Sequence, residues 1–536
     1  MPIRRRLGII AFPAAAALAV LSGCSAQSSG SAAEATPAPG GSLTYAVSTA
    51  FGSFDPNVTA SVVDARVLRQ VYDSLVDLDA EGTVQPWLAS AWEVSDDGLT
   101  YTFTLREDVT FQDGTAFDAE AVCYNFDRIT DPATKSLYAV SLIGPYDSCS
   151  AKDPATAVVT LKNAYTPFLT NLSTPFLGMV SPTAAEASGL ADFGSNPVGS
   201  GPFRFASYRP NSDVVLERNP GYNWAPESAE HQGEAYLEQL TFQIIADATV
   251  RLGSLRNGDV QAADDVPAQQ VSTVKQDSSL SYLEQTQSGA TYQLFFNTER
   301  PGLDDPAVRS ALVKAMDLDS AVKATYFGAY QRAAAPLAPG TIGYDESVSS
   351  GLSYNAQAAA DELTAAGWIP GADGVREKDG QRLELTYMGP SPNYDNRQEL
   401  AEFLVQNLKD VGVGVDLELL PSAQAFAMME ANTFDIATTS FVAVDPDILS
   451  TLYSSGSIFN FSRTKAFDED LNQAQTLPAG AEREALYAQI QAEAISGAYS
   501  VPVYQLVYRV ATSTAVRDIG FDPAAYPKFH DTYLAQ

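Results

Sequence analysis

A chain of 536 residues is too long for one compact core, so two or more globular lobes are expected. Hydrophobic residues make up 45% and aromatics 10%, ample for packed interiors, which excludes a fibre or a disordered tail. The 32 basic residues face 65 acidic ones, a net charge of -33 with no basic stripe in the interior; this argues against a nucleic-acid partner and fits a solvated surface.

At the amino terminus Arg4, Arg5 and Arg6 precede a run from Leu7 to Val20 that is almost wholly apolar, broken by Gly8 and Pro13. The run is short for a membrane span and reads as a signal peptide over residues 1–23. It ends in Leu21-Ser22-Gly23-Cys24, which resembles a bacterial lipobox. That resemblance implies a lipidated Cys24 anchoring the chain to the outer face of the cell membrane; the competing reading is an ordinary cleaved signal with an incidental cysteine. Residues 24–41 are mostly Ser, Ala, Gly and Pro, a composition that cannot bury enough apolar surface to order itself, and read as a flexible tether.

From Leu43 onward the pattern is mixed α/β. Tyr101, Phe103 and Leu105 alternate with threonines, Val109 and Phe111 follow, and Asp113-Gly114 marks a turn, so this stretch reads as a β-rich surface layer. Helical spacing then runs from Phe117 to Arg128, with Ala121, Val122 and Phe126 as its apolar stripe. Asp304-Asp305-Pro306 is a helix start leading into Val308, Ala311, Leu312, Ala315 and Met316. Another helix runs from Asn355 through Leu363 and stops at Gly367, which tolerates the left-handed conformation of a helix end. Between Leu383 and Leu420 the order strand, helix, strand predicts a βαβ unit, hence parallel strands in at least one lobe.

Chemistry-bearing motifs are sparse. The tetrads Ser272-Thr273-Val274-Lys275 and Ser462-Arg463-Thr464-Lys465 lack the partner segments of an acyl enzyme. The stretch Asp77 to Leu88 starts like a calcium loop but carries Leu88 where a bidentate glutamate is required, so it reads as a turn. His231 and His530 are the only histidines, which leaves a His/Cys metal cluster short of ligands; no metal and no cofactor are expected. Cys123 and Cys149 either pair, as an exported location favours, or stay as two buried thiols. A secreted hydrolase built on two carboxylates is the remaining enzymatic alternative.

Short motifs in a fixed order now carry a resemblance: Phe54-Asp55-Pro56, Val71-Tyr72-Asp73-Ser74-Leu75, Pro86-Trp87-Leu88-Ala89, Asp97-Gly98-Leu99-Thr100-Tyr101, Pro197-Val198-Gly199-Ser200-Gly201-Pro202-Phe203, Glu217-Arg218-Asn219-Pro220, Asn257-Gly258-Asp259, Ala366-Gly367-Trp368 and Asp445-Pro446-Asp447. Across nearly the whole mature chain they resemble the large extracytoplasmic solute-binding proteins of the peptide and nickel importer class. The resemblance implies an α/β, two-lobed fold of the periplasmic-binding-protein type II kind with an inserted β-rich domain. Lobe I would comprise residues 42–72, 192–290 and 505–536, the insertion 73–191, and lobe II 291–504. It further implies a monomer, not an enzyme, that closes its lobes around a small solute. A peptide is the first choice, with a nickel chelate, an oligosaccharide or another small solute as alternatives; the loaded protein is passed to a membrane permease with its ATPase. Peptide-binding relatives meet the ligand's ammonium with an aspartate three residues before the acid matching Asp445; here that place is Val442. The ligand-contact candidates are Thr59, Tyr138, Phe441, Asp445, Asp447 and Tyr504; for Asp445 and Asp447 the alternative is helix capping ahead of Ile448, and for Thr59, Tyr138 and Tyr504 it is ordinary packing.

Overall fold

The computed structural model of the chain describes residues 37–535 apart from 81, 137, 190–191, 352, 392 and 394. The expected signal peptide, Cys24 and the tether up to residue 36 lie outside the described residues. Among those described, no helix is long and apolar enough to cross a membrane.

Two large sheets organise the molecule. The first has seven strands in the order Leu280–Thr286, Val507–Ser513, Ala262–Ala263, Ser42–Val47, Gln239–Ile244, Asp213–Arg218 and Phe203–Arg209. The second has five: Gly414–Leu420, Glu384–Pro390, Ile436–Val442, Gly289–Phe296 and Ser500–Tyr504. Strand Gly289–Phe296, between Ile436–Val442 and Ser500–Tyr504, is buried throughout. The predicted βαβ unit is present: Glu384–Pro390 pairs in parallel with Gly414–Leu420, and helix Arg397–Asp410 makes the crossover. Helix Pro306–Ala315 begins as read, with Asp305 accepting from the Ala307 N–H at 2.8 Å and proline in the first turn.

A third sheet, of four antiparallel strands, stands apart from these two: Ala89–Val94, Thr100–Leu105, Thr156–Leu161 and Tyr146–Asp153. Its inward residues Tyr101, Phe103 and Leu105 are buried and alternate with more exposed threonines, the pattern of a sheet with one covered face. Helix Ala119–Thr130 covers that face, and Cys123 on the helix is bonded to Cys149 on the edge strand with Cα atoms 5.1 Å apart. The fold is thus two-lobed α/β with an inserted β-rich domain.

The chain passes between the large sheets at 286–289 and again at 504–507. The passages lie side by side, with the Gln287 N–H donating to the Leu506 carbonyl at 3.0 Å. Gly289 opens the second sheet at a φ of +110°, and a Cβ there would sit 2.5 Å from both the Ala443 nitrogen and the Phe441 carbonyl oxygen, so only glycine fits the junction.

Candidate ligand-binding site

Where the two passages enter the five-stranded sheet, its tyrosines gather. Tyr292 stacks on Tyr504 with ring centroids 4.8 Å apart, and Tyr326 and Tyr330 each lie 4.9 Å from Tyr504. Tyr326 ends helix Leu318–Tyr326, whose terminal turn is closed by Phe327 in the left-handed conformation; the chain therefore doubles back and brings Tyr330 beside Tyr326 at 4.5 Å.

Two arginines contact these tyrosines. Arg397, the first residue of helix Arg397–Asp410, lies 4.6 Å from the Tyr292 ring centre and donates through Nε to the Tyr504 hydroxyl at 3.1 Å. Its Nη2 donates to Ser440 Oγ at 3.3 Å. The helix start follows the carboxyl end of strand Glu384–Pro390, the end at which α/β sheets bind ligands, and its dipole reinforces the positive charge. Arg509 comes from the seven-stranded sheet. Its guanidinium lies 4.2 Å above the Tyr330 ring and donates through Nη2 to the Tyr330 hydroxyl at 2.9 Å, so it spans the junction.

Arg509 is only 5% exposed, yet its Nε and Nη1 have no hydrogen-bond partner in the protein. Buried donors on a charged group are costly to leave unmatched, so the position calls for an anionic or carbonyl acceptor. A cavity of about 260 Å³ opens beside it, lined by Asp265 and Gln269 from one lobe and by Tyr326, Tyr330, Asp395 and Asn396 from the other. Asp265, Asp395 and Asn396 all hold positive φ, between +45° and +53°, a clustering of backbone strain typical of ligand sites. The cavity therefore offers Arg509 for a carboxylate and two aspartates for a cation, with Arg397 on the neighbouring tyrosines.

Behind Asp265, on the seven-stranded-sheet side, Asp264 is buried, paired with Arg66 and 3.5 Å from Arg251 Nε. Burial, with the neighbouring Asp265 charge adding to it, pushes its carboxyl up to about 7. Arg66 also covers the Tyr508 ring at 4.3 Å, fixing the strand that carries Arg509.

A sequence pattern of the bacterial extracellular solute-binding proteins, family 5 (middle region), matches residues 83–462. The chain belongs to that family. This family 5 protein is 29% identical over 463 residues to the glutathione-binding protein GsiB of Shigella flexneri, covering 84% of this chain and 86% of that one. Among solved structures it is similar to NikA from Brucella suis, solved in complex with Fe(III)-EDTA, with a TM-score of 0.81, 25% identity and coverage of 92% of this chain and 100% of that one. DppA from Helicobacter pylori, in complex with the peptide STSA, shares the fold at a TM-score of 0.76 and 24% identity, over 93% of this chain and 99% of that one.

Of the six contact candidates, only Tyr504 sits in the arginine and tyrosine cluster of this family 5 protein. Thr59 spends its hydroxyl on Asp64, donating at 2.6 Å. Tyr138 stacks edge-on against Phe176 at 4.9 Å, and Phe441 against Phe459 at 5.1 Å. Asp445 is buried in a two-pronged pair with Arg483, at 2.6 and 3.1 Å. Asp447 accepts from Tyr165 at 3.1 Å and from Gln475 at 3.0 Å, tying the segment after the four-stranded sheet to the other lobe; the Thr166 N–H adds a bond to the Gln475 carbonyl at 2.8 Å. The capping alternative takes a different form: the Asp447 side chain caps no backbone N–H of helix Ile448–Tyr453 but accepts from Ser450 Oγ. Sequence reasoning missed Arg397, Arg509, Tyr292, Tyr326 and Tyr330; the only local cue was Arg397 opening the helix of the βαβ unit.

Burial, and then the Asp445 charge, push the Asp447 carboxyl up to about 6 from its usual value near 4. Between those values the folded state holds more protons than the unfolded one, so this group's contribution to stability falls as pH rises from about 4 to 6. Asp447→Asn removes the titration. Its unfolding free energy relative to wild type, from urea melts, should therefore improve between about pH 4 and pH 7; a difference that is flat with pH contradicts the assignment.

Proposed function

We propose that this protein is the extracytoplasmic capture subunit of an ABC importer, and that it closes its lobes on a short peptide or peptide-like solute whose carboxylate meets Arg509 and Arg397. The observation that carries this reading is the pair of buried, unmatched Arg509 donors at the junction, beside a second arginine and a helix start. Asp395 and Asp265, on the same cavity, suit the ammonium of a zwitterion, a role that Val442 cannot fill. The glutathione-binding relative supports a small peptide with free carboxylates. Water in the remaining cavity tolerates variable side chains.

The lobes are proposed at 42–72 with 192–290 and 505–536, and at 291–504, with 73–191 as the inserted domain. The chain is proposed to act as a monomer that binds without catalysis, tethered through a lipidated Cys24 within reach of its permease and ATPase. A second reading is favoured by the Brucella suis neighbour bound to Fe(III)-EDTA: a polycarboxylate metal chelate presents the same anionic oxygens to the same arginines.

Titration calorimetry with glutathione, tripeptides and the nickel–histidine complex separates the two readings. Saturable binding of a peptide is the expected result, weakened by about 2 kcal/mol or more, roughly thirtyfold, in Arg509→Met and Arg397→Met. Binding of the chelate alone, or peptide binding unchanged in both variants, defeats the peptide reading. For the anchor, Cys24→Ser should move the protein from the membrane to the soluble fraction on cell lysis; unchanged fractionation counts against lipidation.

A further inference from the structure

Hydrophobic cores divide the molecule differently from its sheets. Leu43, Tyr45 and Phe242 of the seven-stranded sheet belong to one continuous cluster with Tyr101 and Phe103 of the four-stranded sheet and with Phe168. The five-stranded sheet has clusters of its own, one around Tyr292, Leu385 and Leu404 and another around Phe295, Ala437 and Tyr453. A continuous core resists being opened, so the first two sheets form one body and the third forms another.

Two adjacent residues of the first body, Tyr165 and Thr166, bond to the second body away from the chain passages. The Tyr165 hydroxyl donates to Asp447 Oδ2 at 3.1 Å, the Thr166 N–H to the Gln475 carbonyl at 2.8 Å, and the Thr166 hydroxyl to the Leu477 carbonyl at 2.6 Å. Gln475 Nε2 donates to Asp447 Oδ1 at 3.0 Å, which closes a ring of four residues. Tyr165 is set in place by its own body. A Cβ on Gly144 would come within 2.3 Å of the Tyr165 ring, so glycine makes room for it, and the Tyr101 hydroxyl donates to the Tyr165 carbonyl at 3.3 Å.

Three residues before Asp447 the same segment makes an apolar contact. Val444 lies between strand Ile436–Val442 and helix Ile448–Tyr453 of the second body, yet it is buried within the first body's core. A space of about 10 Å³, room for one water at most, is all that remains between it and Thr174, Pro175, Asp522 and Tyr526. Asp445, the next residue, is held back to its own body by Arg483. Segment 442–447 thus reaches across with Val444 and Asp447 while Asp445 fixes its position.

We infer that Val444, Tyr165 and Thr166 form a latch that biases the protein toward the closed form before any solute arrives. Rotation about the passages at 286–289 and 504–507 separates the two bodies, so it breaks these three hydrogen bonds and withdraws Val444 into water. None of these contacts belongs to the cavity beside Arg509. The latch therefore contributes the same factor to the affinity for every solute that needs the lobes shut, and acts on strength of binding rather than on choice of ligand. Its contacts are few and mostly polar, so the ligand-free protein is divided between open and closed rather than locked. The inference rests on the lobe closure proposed above but not on which solute is bound.

The test is small-angle X-ray scattering of the mature protein, freed of bound solute by dialysis from urea and measured with no ligand added. The double variant Tyr165→Phe with Thr166→Val removes two hydroxyls at nearly constant shape, and each loss should lower the closed-to-open ratio roughly fivefold. Val444→Ala tests the apolar contact separately, without touching either core of the second body. A radius of gyration larger than that of wild type is expected in both variants, with circular dichroism unchanged. A folded double variant whose radius of gyration equals that of wild type overturns the latch. Should the double variant fail to fold, Val444→Ala decides in its place, and an unchanged radius there overturns the latch equally.

Discussion

The constraint on which the site depends is that a buried arginine on one lobe finds only one of its acceptors on the other. Arg509 reaches the Tyr330 hydroxyl and ring, and that contact holds the lobes together at the junction while leaving two guanidinium donors unmatched. Arg66, Asp264 and the tyrosine stack fix its surroundings, and on the proposed reading a ligand supplies the missing acceptors. On the proposed reading, a ligand whose carboxylate meets Arg509 while touching residues of both sides favours the closed form through that differential contact.

The passages at 286–289 and 504–507 make that arrangement adjustable. Few residues cross, they are hydrogen-bonded to one another, and Gly289 admits no side chain, so rotation is confined to a short stretch. On the far side, Tyr165 donates to Asp447 and the Thr166 N–H to the Gln475 carbonyl, a second contact in which burial raises the Asp447 carboxyl above its usual range.

The fold was legible where local physics decides it. Alternation at Tyr101, Phe103 and Leu105, the Asp305-Pro306 start and the Leu383–Leu420 βαβ unit all appear where their patterns place them. Of the residues singled out in the sequence, Tyr504 is the one that joins the arginine and tyrosine cluster. Arg397 and Arg509 are separated by more than a hundred residues and come together through two different sheets, so no local spacing marks them. Asp445 and Asp447 look available in sequence as acids beside a proline, whereas the fold buries them against Arg483, Tyr165 and Gln475.

Small-angle X-ray scattering of the mature protein, with and without saturating peptide, bears most directly on whether the lobes shut around a solute. The account predicts a smaller radius of gyration on binding for wild type, and little contraction for Arg509→Met at the same peptide concentration. A profile unchanged by a peptide that calorimetry shows to be bound would contradict it.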